Sequence, residues 1–379
     1  MDFNLSEEQK MYRQALRRFV QNEIEPIAEE WEEKGAWPRE ILIKMGKAGL
    51  LGVTVSEEYG GATVDAILLA IFGEELTRGS GGIAAGLCSH VSLGIGPIFR
   101  FGSEELKKKY VVPAVRGELL GGMALTEPHG GSDVAGIRTS AIKNGDHYIL
   151  NGSKTFITNG SIADFLVVAA KVDKGLAHKD ISLFVVEKNY RGFKTGRSLR
   201  KIMWHSSDTA ELFFEDCYVP AENLIGREGE GFKYLMQILH NGRILYASCA
   251  LGLAVAAFEE ALKYAQKREV FGRLIGKNQA IQFMLADMAT EIEGARWLIY
   301  RAAWLTNAGE RCRKEASMAK LYASETASRV TSKAVEIFGG YGLMREYKVS
   351  RCFADAKVME VGEGTSEMQR MIIAKELGL

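Results

Sequence analysis

Apolar side chains return at intervals of three and four residues through the C-terminal part of the chain. Leu251, Leu253, Ala256, Phe258 and Leu262 form one such stripe, and Ile281, Met284, Leu285, Met288 and Ile292 form another. That period is one face of an α-helix. The stretch from Ala316 to Ile337 is alanine-rich and holds neither glycine nor proline, and all six prolines of the chain lie at or before Pro220. Because proline interrupts helices, a proline-free region of this length suits long ones. The pattern predicts helices over about 229–266, 278–308, 312–338 and 350–378, the last interrupted near Glu363. Four helices with short links make a bundle.

Upstream the period changes. Between 121 and 228 the runs HYIL, KTFIT, DFLVVAAKV, ISLFVVE and AELFFEDCYV are short and rich in β-branched and aromatic residues. Asn144-Gly145, Asn151-Gly152 and Asn159-Gly160 read as hairpin-type turns. An antiparallel β domain follows, built as a barrel or a sandwich. Residues 1–120 read as helical again, opening on an S-x-x-Q capping box at Ser6–Gln9. The predicted class is α+β with three domains: N-terminal helical (1–120), central β (121–228) and C-terminal helical (229–379). No low-complexity linker separates them, so tight packing is expected.

Composition removes several classes of function. The formal net charge of zero points to neither nucleic acid nor an acidic membrane surface. No run of eighteen apolar residues occurs, so no membrane span is expected. The N-terminus, MDFNLSEEQK, is acidic and helical, unlike a signal or transit peptide, and its starting Met implies a full, unprocessed chain. The five cysteines are odd in number and form no C-x-x-C pair, which argues against a disulfide framework or zinc site and for a reducing cytoplasm. The six histidines lack metal-ligand spacing, so no catalytic metal is expected.

Three stretches carry candidate chemistry. Gly79-Ser80-Gly81-Gly82-Ile83-Ala84 matches a dinucleotide-binding fingerprint by letters, but the preceding IFGEELTR reads as helix, where that fingerprint requires a strand. Leu125 to Asp133, LTEPHGGSD, is a polar, glycine-rich entry to the β domain, able to offer backbone N–H groups and hydroxyls to a ring edge or phosphate; read alone, it is as readily a surface loop. The third is MEVGEGTSEMQR. Glu360, Glu363 and Glu367 would repel on one continuous helix. Gly362 and Gly364 break that helix, and Ser366–Gln369 fits a second capping box. Glu363 is thereby held in a tight loop ahead of a new helix; the plain alternative is a solvated loop acid.

The motifs LTEPHGGSD, KTFITNG, REVFGRLIGKNQ, EIFGGYG and GEGTSEMQR occur in that order over nearly the whole chain. The sequence resembles the acyl-CoA dehydrogenase family. The resemblance implies an N-terminal helical domain, a central antiparallel β-barrel, a C-terminal four-helix bundle and a homotetramer. It implies FAD as cofactor, an acyl-CoA substrate oxidised to the trans-2-enoyl-CoA in fatty or carboxylic acid degradation, and an electron-transfer flavoprotein as acceptor.

Site roles follow from the same resemblance. Glu363 stands where many members carry the base that removes the α-proton, before the β-hydride passes to flavin N5. The backbone beside it, at Gly364, would meet the thioester oxygen. Other members carry the base at the position matching Gly242, which here has no side chain to serve. Met123, Leu125, Thr126, Phe156 and Thr158 match contacts to the flavin ring, with Phe156 where the family often has Trp. Ser132 matches a contact at both cofactor and acyl-CoA. Arg268, Phe271 and Gln279 match residues holding the diphosphate and adenosine end across a subunit interface. Glu336, Gly339 and Gly340 match a further cofactor contact, with Glu336 where Gln is usual. Thr365 and Glu367 match contacts near the last helix. Arg243 matches an arginine of the substrate region, and His240 stands where an acid is common. Gly362 replaces a tyrosine of several straight-chain members, which predicts room for a bulkier acyl group. The same fold also serves flavin-dependent oxidases and monooxygenases, and a non-catalytic acyl-CoA-binding protein would share it too.

Overall fold

The structure, a computed structural model, describes residues 4–172 and 180–379. The first helix, Glu7–Phe19, opens on the predicted box: Gln9 N–H donates to Ser6 Oγ at 3.2 Å, and Ser6 N–H donates to Gln9 Oε1 at 3.0 Å. Ala66–Gly79 is capped by the Asp65 carboxylate and is buried along almost its whole surface. Its two acids, Glu74 and Glu75, are paired by Arg13, Arg17, Arg78 and Arg296, so the buried charges tie the N-terminal helices to the C-terminal ones. Gly79 ends this helix and Ser80 caps the next, Gly81–Ser89. The glycine-rich run is a helix-to-helix junction, with no strand before it.

Among the described residues the central domain holds eight strands: β1 (Gly121–Ala124), β2 (Ser140–Asn144), β3 (His147–Thr158), β4 (Phe165–Lys171), β5 (Ile181–Glu187), β6 (Phe193–Ser198), β7 (Thr209–Pro220) and β8 (Leu224–Ile225). They run in the order β6-β7-β3-β2-β4-β5-β8, with β1 beside β4. The expectation of a wholly antiparallel domain is corrected, and the expected barrel closure is not seen among the described residues. The path is open among the described residues, ending on β6 and β8, and the β1–β4 and β2–β4 pairings are parallel. Of the three Asn-Gly pairs only Asn144-Gly145 makes the expected hairpin, with Asn144 paired to His147. Asn151-Gly152 lies inside β3 at a register shift against β7, because Gly152 can bulge where Thr139 crowds any β-carbon. HYIL and KTFIT are therefore one long strand.

The C-terminal helices are Gly231–Ala265, Gln279–Asn307, Arg313–Phe338, Lys348–Val361 and Ser366–Glu376. The break falls at 362–365, as the two glycines require. Its cap differs from the expected box. Thr365 Oγ1 accepts from Met368 N–H, and Ser366 is already helical. Gln369 is freed from capping and turns its amide back onto the loop. Two segments, Gly81–Phe101 and Gly231–Ala265, are long and apolar enough to cross a membrane by length and composition, but of an apolar eighteen-residue stretch in each, 89% and 78% are buried inside the protein. They are its core.

Candidate active site

The break between the last two helices sets Glu363 in left-handed backbone, with φ of 53°, followed by Gly364 at 89°. A non-glycine residue in that region stores strain and persists only where its surroundings hold it. Here they do. Lys320, wholly buried, donates from Nζ to Gly364 O at 2.8 Å and to Glu360 O at 3.5 Å. Gln369 Nε2 donates to Gly364 O at 2.9 Å and Glu363 O at 3.4 Å. The clamped loop turns the Glu363 side chain inward. Its Oε2 is closed off from solvent and has no hydrogen-bond partner.

The Gly231–Ala265 helix forms the opposite wall. Gly242 faces the carboxylate, and a β-carbon there would stand 2.9 Å from Glu363 Oε2. One turn on, the Tyr246 hydroxyl donates to Val358 O at 3.2 Å and fills the space beside Gly362, where a β-carbon would meet it at 2.1 Å. The room expected from Gly362 is thus taken by Tyr246, supplied from another helix, and the expectation of a bulkier acyl group loses its support. Burial pushes the Glu363 carboxyl above the usual carboxylate range, with Arg243 and Lys320 pulling the other way. Arg243 is buried, with Nε unpartnered. His240 turns away from this pocket: its Nε2 lies 3.2 Å from Thr306 Oγ1 and 3.5 Å from Cys312 Sγ, and burial pushes it down to about 4, leaving it neutral. His240, which the resemblance sets in the substrate region, is thus engaged by Thr306 and Cys312.

The flavin-ring candidates meet on the β domain. Lys154, 0% exposed, donates to Glu127 Oε1 at 2.8 Å and to Leu125 O at 3.0 Å, and Thr155 N–H donates to Thr126 O at 2.9 Å. These bonds dock the LTEPHGGSD loop onto β3 beside Phe156. Phe156, with φ of 59°, stands 69% exposed on that face although its strand neighbours are buried. Thr158 is half-buried, Met123 is buried in β1, and Ser132 sits on the exposed part of the loop. Trp204, also in left-handed backbone, lies edge-on to Tyr246 at 6.3 Å, and its Nε1 has no partner among the described residues.

A second group forms elsewhere. Arg268, Glu336, Gly339 and Gly340 line an open cleft of about 550 Å³ with Tyr264 and Tyr341. The Arg268 guanidinium stands 5.8 Å from the Tyr341 ring and makes no hydrogen bond or ion pair among the described residues. Gly339 and Gly340 leave open space where side chains would stand. An unclaimed guanidinium above a glycine floor fits a diphosphate. Glu336 brings an acid into the same cleft, which suits a sugar hydroxyl better than a phosphate. Phe271 projects 99% exposed and Gln279 is exposed. Neither this group nor those two residues touch Glu363 among the described residues. Thr365 serves as the helix cap, and Glu367 is exposed in the first turn of that helix. Sequence reasoning missed Lys154, Trp204, Tyr246, Lys320 and Gln369. A lysine inside the mostly apolar face of Ala316–Ile337 was the one available signal for Lys320.

Comparison with known proteins gives concordant results. Three family models match in chain order: acyl-CoA dehydrogenase N-terminal domain over 6–118, middle domain over 122–217 and C-terminal domain over 229–378. The chain is 46% identical to a short-chain specific acyl-CoA dehydrogenase of Clostridium acetobutylicum, covering 100% of each. It superposes on butyryl-CoA dehydrogenase from Megasphaera elsdenii with a TM-score of 0.96 and 42% identity, covering 100% of both chains. A chain in a structure presented as the electron transferring flavoprotein of Acidaminococcus fermentans matches with a TM-score of 0.97 and 46% identity, over 100% of this chain and 99% of that one. The likeness runs end to end and joins all three domains to a buried carboxylate in a strained loop, so this chain belongs to the acyl-CoA dehydrogenase family, FAD-dependent enzymes that oxidise the Cα–Cβ bond of acyl-CoA thioesters.

Proposed function

We propose that Glu363 is the base that takes the α-proton of a short-chain acyl-CoA. The observation that carries this reading is the Oε2 atom, buried, unpartnered and held in strained backbone against Gly242. An α-proton of a thioester is weakly acidic, so its base must be held close and kept from water, and a raised carboxyl pKa makes a stronger base. The backbone at Glu363–Gly364 would meet the thioester oxygen, and such donors stabilise developing negative charge. Bound FAD supplies the acceptor for the β-hydride. Phe156 and the Leu125–Thr126 backbone would flank its ring system, Thr158 would bond to it, and Arg268 with the 339–340 glycines would hold its diphosphate.

Short chains are favoured by the similarity to the short-chain specific and butyryl-CoA enzymes, and by Tyr246, which narrows the space beside Glu363. An electron-transfer flavoprotein is the acceptor we infer, from the structural match above. A homotetramer would cover Phe271, Phe283 and Trp304, which are 99%, 60% and 52% exposed. Cys88 and Cys249 face each other unbonded, with sulfurs 3.7 Å apart, which suits a reducing cytoplasm. Anaerobic bleaching of flavin absorbance by acyl-CoAs of increasing length tests the substrate class. Fastest bleaching by four- to six-carbon thioesters supports it, and preference for long or branched ones opposes it.

A further inference from the structure

Lys320 is the one fully buried lysine of the Arg313–Phe338 helix. The two carbonyls it reaches, Glu360 O and Gly364 O, bracket the candidate base in sequence. One belongs to the last turn of the Lys348–Val361 helix, the other to the residue after Glu363. No other side chain bridges both sides of the break among the described hydrogen bonds; Gln369 holds only Glu363 and Gly364. A lysine desolvated to this degree is costly unless its charge is used.

We propose that Lys320 is a positioning residue: its ammonium locks the Glu363 loop into left-handed backbone, and its charge sets the pH at which Glu363 becomes a competent base. This rests on Glu363 being that base. The lock follows from the geometry. Without the bond to Gly364 O, the loop keeps Gln369 on one side only, and no other side-chain hydrogen bond among the described residues ties the end of the preceding helix to it. The charge effect follows from what surrounds each group. Arg243 and Tyr246 face Glu363 from the Gly231–Ala265 helix, and Lys320 faces it from Arg313–Phe338. Around Lys320 stand Glu360, Glu363 and Glu367 as acids, Arg243 as a cation, and the Tyr246 ring 5.8 Å from Nζ. Burial pushes Lys320 down to about 8, so it carries its charge through neutral pH, where it favours the ionised form of Glu363. Removing that charge while keeping a donor raises the Glu363 pKa, and the acid limb of the rate profile then moves to higher pH.

The test compares Lys320→Gln and Lys320→Arg with the wild-type holoenzyme, and with Glu363→Gln as a control on the base. The readouts are kcat and KM for butyryl-CoA against pH, with flavin content and circular dichroism. For Lys320→Gln the expected result is full flavin content, little change in KM, a kcat lowered about 10²-fold by a misplaced base and an acid limb raised by about one unit. Lys320→Arg should lower kcat but leave the limb in place. A Lys320→Gln limb at the wild-type position, with Glu363→Gln inactive, overturns the proposal and leaves the base assignment standing. Turnover by Glu363→Gln overturns the base assignment itself. Should Lys320→Gln not fold, Lys320→Arg decides: an unmoved limb supports the proposal, and a one-unit rise despite the retained charge defeats it.

Discussion

Gly242 leaves the space that the Glu363 carboxylate fills: a β-carbon on Gly242 would stand 2.9 Å from Oε2. A glycine inside a 35-residue helix costs about 1 kcal/mol relative to alanine, and the facing carboxylate explains why it is kept. Gly242→Ala should gain helix propensity and lose activity, since a base displaced by about 1 Å can cost on the order of 10²-fold. Steady-state kinetics with thermal melting would check it. Unchanged kcat would show that the carboxylate works from another position.

Gly362 and Tyr246 form a second complementary pair. Any side chain at 362 meets the Tyr246 hydroxyl, at 2.1 Å for the first carbon. Gly362→Ala alone should cost about 1–3 kcal/mol by overpacking. In combination with Tyr246→Ala most of that cost should vanish, giving a coupling energy that a double-mutant cycle in urea can measure. Strictly additive effects would mean that the two positions do not share the space.

The helices of the C-terminal domain were legible because their apolar period is long and uninterrupted, and the break at 362–365 because two glycines flank one acid. The β domain was less so. Asn151-Gly152 has the letters of a turn, but Thr139 opposite makes it a bulge, and cross-strand crowding is not written in local sequence. Closure into a barrel was carried over with the resemblance and depends on how distant strand edges meet. At the site, Glu363 and the motifs proposed to flank the flavin were readable as contiguous runs. Tyr246 and Lys320 were not: they act on residues 112 and 44 positions away in sequence, through single side chains on ordinary helix faces. The partners of His240, Thr306 and Cys312, lie on other elements and are not visible from its own stretch of sequence.

Arg268→Ala should weaken flavin retention. The guanidinium makes no hydrogen bond or ion pair among the described residues and stands only against the Tyr341 ring at 5.8 Å, so its removal should leave the local fold intact and takes one charged hydrogen-bonding group from the cleft. Arg268 is exposed in this open cleft, so the loss should be about the 1.5–3 kcal/mol of a hydrogen bond to a charged group. Flavin released on gel filtration, with the elution volume as a record of assembly, would show it. Retention equal to wild type would remove Arg268 from the cofactor site.

Activity should rise with pH through a limb above the ordinary glutamate range. Burial raises the Glu363 pKa, and only the ionised carboxylate can accept a proton, so catalysis is present above that pKa and is lost as pH falls through it. The profile of kcat/KM for butyryl-CoA reports the limb in the free enzyme. A limb at or below the usual glutamate value would show that the carboxylate is solvated in the working enzyme.

The most direct measurement is anaerobic stopped-flow bleaching of the flavin in Glu363→Gln holoenzyme mixed with butyryl-CoA. The amide is nearly isosteric, so FAD and substrate binding should survive, while the bleaching rate constant should fall by about 10²–10⁴-fold, the range that general-base catalysis supplies. Bleaching within a few-fold of wild type would show that another group takes the α-proton and would contradict the assignment of Glu363.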